Sequence, residues 1–402
     1  MKAHFWKIGI LCGSMIVAGM VALSGQPSQP AAVEPSTDRA LVQPPYLQAL
    51  SPRTMAILWE TDSPAYGWIE YGETAALGRR QDATRFGLRD ANSTCHRITL
   101  AGLEPGTTYY YRVHWRPIRS FKAYQVDFGP DQSTEIAAFR TLPGRQDRVA
   151  AVVFNDLHNN IPTFQALCRA VSTIPFDFSL FNGDCLVDLN EESRALAVMN
   201  EYIGGIQAGR RSAFFIRGNH ETRGAFARLM PRLFAWPGDR PYFAFNAGPV
   251  RWVVLDCGED KPDDNVEYSG LVNFATYRQE QTPWLKREIA SPAFRRAPWR
   301  VLVHHMPIYP ARTKGNGGRQ AQDLWNGILA NAGIDLALNA HTHRTAFHPP
   351  FAIGNPFPVA IGGAPTLKDA TVMLLEADPN QLKLRILDAS GNDRFPPFLK
   401  TR

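Results

Sequence analysis

The chain has 402 residues, of which 45% are hydrophobic and 20% charged, so it can bury a sizeable core and exceeds the length of one average domain. Lys and Arg number 43 against 37 Asp and Glu, a formal net charge of +6. No basic run with interleaved aromatic residues is present, which argues against nucleic acid as a stable partner, while a mildly basic surface favours anionic small molecules.

The N-terminal residues have the pattern of a secretory signal peptide. The positive charges of Lys2 and Lys7 precede the apolar residues 8–23, and small residues suited to cleavage follow. We predict a signal peptide over residues 1–24, export to the periplasm or the outside of the cell, and no membrane attachment after cleavage. An uncleaved anchor is the alternative, although the apolar stretch is short for a membrane span. Residues 25–41, rich in Pro, Ser, Gln and Ala, predict a flexible linker.

Short β-rich runs separated by turn residues fill residues 42–142, among them residues 54–60, 67–71, 96–100 and 107–115. Trp59, within one such run, suits a core position, and the stretch Leu103 to Tyr111 resembles the corner turn of immunoglobulin-like sandwiches. We therefore predict an all-β sandwich similar to a fibronectin type III domain. Its role is either structural or the binding of a partner.

From about residue 146 to the C terminus, continuous apolar runs alternate with helical patterns, as in a sheet buried on both faces. The strands are expected at residues 149–154, 178–181, 213–216, 252–255, 301–303 and 334–338, with helices at 163–172 and 191–202 and a hairpin at 370–376 and 381–389. The pattern predicts an α/β domain over residues 146–402.

Five of these apolar runs end in polar residues that can bind metal ions. The five motifs are Asn155-Asp156-Leu157-His158, Gly183-Asp184, Gly218-Asn219-His220-Glu221, His304-His305 and His341-Thr342-His343. The carboxyl ends of strands in an open α/β sheet converge on one crevice, and carboxylate, imidazole and amide groups together suit Zn, Fe or Mn. The four cysteines beyond the signal peptide form no CxxC motif, so a thiolate zinc site has no support, and their spacing identifies no disulfide pair.

In this order, the five motifs resemble those of the calcineurin-like metallophosphoesterase superfamily, and the preceding sandwich further resembles the purple acid phosphatase branch. The resemblance implies a β-sandwich flanked by helices and two divalent or trivalent transition-metal ions, Fe, Mn or Zn. It implies that one ion is held by Asp156, His158 and His343, the second by Asn219, His304 and His341, and both by Asp184.

The chemistry of two metal ions agrees with these roles. Two cations about 3.5–4 Å apart can bind one phosphate, share a hydroxide, and stabilise the attacking and departing oxygens. The catalytic candidates are Asp184 and His220, the latter as a general acid worth about 10²–10⁴-fold in rate. Asn219, His220, Arg223 and His305 are the candidates for contact with substrate. Surface ion pairing is the alternative for Arg223, and a hydrogen bond to the backbone is the alternative for His305. Glu221 either orients His220 or is a solvated or helix-starting carboxylate.

Three positions depart from the purple acid phosphatase pattern. Val187 stands where that branch has a tyrosinate ligand, three residues after Asp184, so the coloured iron–tyrosinate centre is not expected. His158 stands where the branch usually has Gly, which makes the site similar to the Asp-x-His type of the broader superfamily. Ala340 replaces the common Gly before the last His-x-His motif, a change that should leave the ligands intact.

The sequence therefore predicts an exported metallophosphoesterase that hydrolyses phosphate mono- or diesters of a small phosphorylated substrate. A metal hydrolase acting on another bond, such as an amide, is one alternative. A non-catalytic surface-binding protein with a vestigial metal site is the other, although every ligand position is filled and His220 is present.

Overall fold

The computed structural model describes residues 41–145, 147–309 and 316–402. The predicted signal peptide and all but the last residue of the predicted linker lie outside these residues. Within the described part of the chain, no helix is both long and apolar enough to cross a membrane.

The first part of the described chain is built from β-strands. In chain order these are β1 (Leu41–Ser51), β2 (Thr54–Gly72), β3 (Arg79–Asp82), β4 (Thr84–Arg85), β5 (Leu88–Arg89), β6 (Ala91–Ala101), β7 (Thr108–Lys122), β8 (Gln125–Phe128), β9 (Gln132–Ser133) and β10 (Ala137–Arg140). The early residues of β2 pair with β1 and β6, and the late residues mainly with β3 and β7, across a register shift between Glu60 and Ala65. Because an irregularity of this kind bends a strand, β2 can serve both groups of strands.

Trp59 and His96 form the centre of this β-rich region. They are opposite each other on β2 and β6, and their rings stack with centroids 4.9 Å apart. The His96 side chain is buried, and its Nε2 lies 3.2 Å from the Thr61 hydroxyl. Burial lowers the pKa of His96 to about 4, because a low-dielectric environment disfavours the charged ring.

We expect the His96 environment to make the fold sensitive to acid. In the folded protein His96 stays neutral down to about pH 4, whereas in the unfolded chain it takes up a proton below about pH 6.5. Its contribution to stability is therefore complete above that pH and is lost as the pH falls toward 4. Between pH 7 and 5, the free energy of unfolding should fall by about 2 kcal/mol more in the wild type than in His96→Gln. Urea titrations at the two pH values measure this difference, and equal losses in both proteins would contradict it.

The second part of the described chain alternates strands and helices. In chain order it contains β11 (Val149–Phe154), α1 (Ile161–Ala170), β12 (Phe178–Asn182), α2 (Glu192–Gly205), β13 (Ser212–Ile216), β14 (Phe243–Ala247), β15 (Val250–Val254), α3 (Phe274–Ala290), α4 (Pro292–Arg296), β16 (Trp299–Val303), α5 (Asn316–Leu329), β17 (Leu336–Asn339), β18 (Ala346–His348), β19 (Val359–Ile361), β20 (Thr371–Ala377), β21 (Gln381–Asp388) and β22 (Phe398–Thr401). The prediction of an all-β region followed by an α/β domain is confirmed.

These strands form two six-stranded mixed sheets. The first has the order β13-β12-β11-β20-β21-β22 and the second β14-β15-β16-β17-β19-β18. Strands β11, β12 and β13 run parallel, as do β15, β16, β17 and β19. The predicted C-terminal hairpin is the antiparallel pair β20 and β21.

Aromatic side chains fill the space between the two sheets. Phe178 of β12 packs against Phe245 and Trp252 of the second sheet, with ring centroids 5.8 and 5.5 Å apart. On β16, Val301 and Val303 belong to this inner core, whereas Leu302 belongs to a second cluster that includes Trp325 of α5. Successive residues of β16 thus alternate between the inner core and the helix-covered face.

The β-rich region packs directly on the α/β domain. The Tyr46 hydroxyl donates to the carbonyl of Leu233 at 2.6 Å, and the Tyr111 hydroxyl to that of Gly209 at 2.8 Å. The backbone N–H of Leu47 also donates to the carbonyl of Ala208 at 2.9 Å. One continuous hydrophobic cluster includes residues of both parts.

The described cysteines are free thiols rather than disulfide partners. They are Cys95, Cys168, Cys185 and Cys257. Burial raises the pKa of the Cys257 thiol to about 12, so it remains protonated at neutral pH.

Candidate metal centre

The five polar motifs come together at one edge of the two sheets. They follow the carboxyl ends of β11, β12, β13, β16 and β17. Because β11 to β13 are parallel to one another, as are β16 and β17, the loops after them leave each sheet at the same edge. The side chains of Asp156, Asp184 and Asn219 are almost completely buried there.

The first group of donor atoms comes from Asp156, His158 and His343, whose candidate ligand atoms all lie within 4.8 Å of one another. His343 Nε2 is 3.4 Å from Asp156 Oδ1 and 3.3 Å from His158 Nε2. A carboxylate and two imidazoles at these distances can hold one transition-metal ion.

The second group comes from Asp184, His305 and His341, again within 4.8 Å. His305 Nε2 lies 3.1 Å from Asp184 Oδ2, and His341 Nδ1 lies 2.9 Å from Asn219 Oδ1. The amide oxygen of Asn219 can therefore join this group as a further ligand.

Asp184 lies where the two groups meet. Its Oδ2 is 3.1 Å from His305 Nε2 and 3.7 Å from His158 Nε2, and these histidines belong to different groups. This is the position that a carboxylate shared by two ions requires.

His305, and not His304, brings its side chain into the cluster, which corrects the ligand expected from the sequence. The His304 ring instead lies 2.6 Å from the carbonyl of Met306, next to Asn339. The physical reason is the alternation along β16: His304 continues the helix-covered side of Leu302, whereas His305 continues the inner side of Val303. His305 also uses Nδ1 for a 2.9 Å contact with the carbonyl of Asn182, which leaves Nε2 directed at the cluster.

The donor set fits metal ions on structural grounds. Among the described residues, the buried atoms Asp156 Oδ1 and His305 Nε2 make no hydrogen bond of ordinary geometry, although His343 Nε2 and Asp184 Oδ2 of the cluster lie 3.4 and 3.1 Å from them. Buried polar atoms in this situation are costly unless something binds them. Although burial lowers the pKa of His305, the carboxylates of Asp184 and Asp156 raise it to about 10. The cluster therefore favours a positive charge.

Backbone strain is concentrated at the same residues. Five non-glycine residues of the motifs have left-handed backbone conformations, with φ between 47° and 71°: Asp156, His158, Asp184, His341 and His343. Side chains disfavour this region, and residues held in it gather at functional sites, where the surrounding structure compensates a cost of about 1–3 kcal/mol each.

Glu221 holds the Asp184 loop in place, a role not predicted from the sequence. Its carboxylate accepts hydrogen bonds of 2.7–2.9 Å from the backbone N–H groups of Asp184, Cys185, Leu186 and Gly218. It is buried, so it is not a solvated carboxylate. Its carboxylate accepts from these backbone N–H groups, and among the described residues it makes no hydrogen bond with His220. Burial and the Asp184 charge raise the pKa of Glu221 to about 7, whereas the N–H donors lower it.

The side chain of Arg223 is engaged in ion pairs. Its guanidinium donates to both Glu259 carboxylate oxygens at 2.8 Å and to Asp260 at 3.0 Å. The structure therefore favours the ion-pair alternative for Arg223 over contact with the substrate, because two carboxylates already neutralise its charge. Glu259 is completely buried, and no motif in the sequence indicates this partnership.

His220 lies at the edge of the cluster, where it forms a third group of possible donors with His158 and Asp184, within 4.8 Å of one another. Its side chain is 30% exposed, and Nε2 is 4.0 Å from Asp184 Oδ2. Its ring centroid is 4.8 Å from that of His158, and its backbone N–H donates to Asp184 Oδ1 at 2.9 Å. Burial lowers the pKa of His220. The side chain can thus face a bound substrate.

We expect the iron-loaded protein to lack a visible tyrosinate charge-transfer band. Val187 occupies the loop position of the tyrosine, and its backbone N–H and carbonyl bond to the Asn159 side chain. Tyr202 reaches the same loop, but its hydroxyl donates to the carbonyl of Cys185 at 2.7 Å, and burial raises its pKa well above the usual value. An absorption spectrum after iron loading tests this, and a purple protein would contradict it.

The fold and the cluster define a class of protein: metal-dependent hydrolases whose ligands follow the parallel strands of two facing sheets. The family model "Calcineurin-like phosphoesterase" matches residues 150–345, and the model "Purple acid Phosphatase, N-terminal domain" matches residues 44–140. The chain therefore contains a calcineurin-like phosphoesterase domain, preceded by the N-terminal domain of purple acid phosphatases. It is a phosphoric ester hydrolase.

Individual relatives agree with this assignment. Acid phosphatase type 7 of Mus musculus is 24% identical over 327 residues, which cover 73% of this chain and 67% of the relative. Purple acid phosphatase 22 of Arabidopsis thaliana is 23% identical over 357 residues, covering 83% and 73%. Among solved structures, purple acid phosphatase PPD1 from yellow lupin (Lupinus luteus) seeds superposes with a TM-score of 0.64 at 14% identity, over 89% of this chain and 74% of that one. This last similarity shows the fold alone.

Proposed function

We propose that the protein is an exported enzyme that hydrolyses phosphate mono- or diesters of small molecules with two transition-metal ions. The observation that carries the proposal is the pair of donor groups that meet at Asp184, whose Oδ2 lies 3.7 Å from His158 Nε2 of one group and 3.1 Å from His305 Nε2 of the other. Export rests on the signal-peptide pattern of residues 1–24.

The ligands divide between two ions. Asp156, His158 and His343 would hold one ion, Asn219, His305 and His341 would hold the other, and Asp184 would be shared between them. Such ions, when bound, act as Lewis acids toward a phosphate group and lower the pKa of water. The identity of the bound metal, Zn, Mn or Fe, depends on metal availability as well as on the donor set.

The residues of the chain supply orientation and a proton. Glu221 fixes the loop of Asp184 through backbone N–H groups, so the shared carboxylate keeps its position. His220, beside this carboxylate and partly exposed, donates a proton to the departing oxygen of the ester. Protonation of the departing oxygen lowers the barrier most for leaving groups of high pKa, because these are the least stable as free alkoxides.

Metal analysis and a substrate panel test the proposed function. We expect about two metal equivalents in the purified mature protein, turnover of generic phosphate esters, and loss of that turnover on exhaustive chelation. Hydrolysis of amides with no activity on phosphoesters would favour the other hydrolase class. Full metal content without turnover of any ester would favour a binding protein.

His220→Ala should lower kcat by about 10²–10⁴-fold on an alkyl phosphate and by much less on p-nitrophenyl phosphate, whose leaving group needs little protonation. Metal content should stay near the wild-type value, because His220 is not required by either proposed ligand set. Equal losses on both esters would argue against a general-acid role.

A further inference from the structure

Two pockets are lined by residues next to the motifs of the metal cluster. The first, of about 340 Å³, is lined by His343, Arg344, Thr345, Asp369, Arg394 and Phe395. The second, of about 330 Å³, includes Thr222, Arg223, Arg228 and Glu267. The first pocket is therefore bordered by a proposed metal ligand, and the second by residues that follow His220.

The charge of the first pocket is not neutralised from within the fold. Arg223 is paired with Glu259, and Arg217 with Asp256 at 2.8 Å. By contrast, no carboxylate of the described residues lies within salt-bridge distance of Arg344 or Arg394. Asp369 lines the same pocket and accepts a hydrogen bond from Thr366 at 3.2 Å, so two guanidinium groups outweigh one carboxylate there.

The pocket is fixed relative to the cluster by the loops that build both. Arg344 directly follows His343. The loop before Asp369 is tied to the loop after β11, because the Asn155 amide donates to the carbonyl of Gly363 at 3.1 Å and the Asn160 amide to that of Pro365 at 2.9 Å. Arg394 reaches the carbonyl of Lys368 at 3.4 Å. The guanidinium groups thus belong to elements held at a defined place beside the cluster.

We propose that this pocket binds a second phosphate group of the substrate, so that the preferred substrates are bisphosphorylated small molecules. The inference rests on the proposed function, since the scissile phosphate is taken to lie at the metal cluster. A guanidinium offers two parallel N–H donors that match phosphate oxygens. Two guanidinium groups without a carboxylate partner favour a dianionic group over a neutral group. Exposed lysines such as Lys368 add to the positive charge.

A series of alkanediol esters tests the proposal. Linear α,ω-diols of two to six carbons would be used as monophosphates and as bisphosphates, and the ratio of their kcat/KM values measured on the metal-loaded full-length protein. We expect this ratio to reach about tenfold at one or more chain lengths, above the twofold statistical factor for two equivalent ends. In Arg344→Gln and in Arg394→Gln the ratio should fall by about two- to threefold, and in the double variant it should approach two.

Arg228→Gln is the matched control. Arg228 is an exposed arginine that lines the second pocket, so its replacement removes the same charge from a different place. The wild-type ratio should persist in this variant. A ratio near two at every length in the wild type, an unchanged ratio in the double variant, or a loss confined to Arg228→Gln would overturn the proposal.

Binding of phosphonates separates this inference from the proposed function. Calorimetry with zinc-loaded protein would compare alkane-α,ω-bisphosphonates with the matching alkylphosphonates, which are not hydrolysed. Tighter binding of the bisphosphonate, lost in the Arg344 and Arg394 variants, supports the pocket even if no ester is turned over. The absence of ester turnover would sink only the proposed phosphoesterase activity. Equal affinities for the two ligands at every length would sink the pocket while leaving the activity standing.

Discussion

Replacing Asp184 by Asn should remove most phosphoesterase activity and release at least one metal equivalent. Its carboxylate lies 3.1 Å from His305 and 3.7 Å from His158, which belong to different donor groups. An amide cannot supply two anionic oxygens to two cations. Since each ion contributes several kcal/mol to transition-state stabilisation, kcat should fall by about 10³-fold or more.

Asp188→Asn provides the control for charge and for the loop. Asp188 follows on the same loop, but its side chain is 64% exposed and pairs loosely with Arg194. This variant should keep both ions and wild-type turnover. Elemental analysis with a phosphoester assay compares the two variants. An Asp184→Asn protein with two ions and normal turnover, or wild-type turnover that survives exhaustive chelation, would refute the two-metal mechanism.

Removing the imidazole of His305 should cost about one metal equivalent, whereas removing that of His304 should leave both ions bound. His305 Nε2 is buried and directed at the cluster, 3.1 Å from Asp184 Oδ2. His304 instead makes contacts to Met306 and Asn339 on the helix-covered side of β16. His304→Ala should therefore lower the free energy of unfolding by about 1–3 kcal/mol, because it leaves buried polar groups unpaired.

Metal stoichiometry and urea unfolding of the two variants distinguish these effects. Turnover in His305→Ala should fall together with its metal content, and excess metal should restore part of it, since the other ligands of that ion remain. Full metal content in His305→Ala together with a loss in His304→Ala would return the ligand role to His304 and would contradict the side-chain placement after β16.

The strands of the α/β domain were predictable because burial on both faces leaves a continuous apolar run. Strand β11 coincides with the predicted residues 149–154, and β12, β13 and β16 extend their predictions by only one or two residues. In the β-rich region the two runs 54–60 and 67–71 belong to one strand, β2. The sequence predicted two strands there, because a bulge with polar residues interrupts the apolar alternation without ending the pairing.

The motifs determined by themselves that carboxylate, imidazole and amide groups would meet at one edge, since each motif follows an apolar run and the carboxyl ends of parallel strands converge. They also determined the chemistry, because these donor types together suit transition-metal ions. Val187 likewise predicted the absence of an iron–tyrosinate centre from the sequence alone, because a valine side chain cannot bind iron.

Only the tertiary structure decided which neighbours each side chain meets. His305 was separable from His304 only once it was known which face of β16 lies against the inner core, because successive residues of a strand point to opposite faces. Like His305, the ligands Asp156, Asp184 and His341 each lie two residues beyond the carboxyl end of their strand. Contacts across long sequence separations, such as Glu221 with the Asp184 loop and Arg223 with Glu259, leave no periodic signal, since they depend on how loops from different strands pack after the sheets have formed.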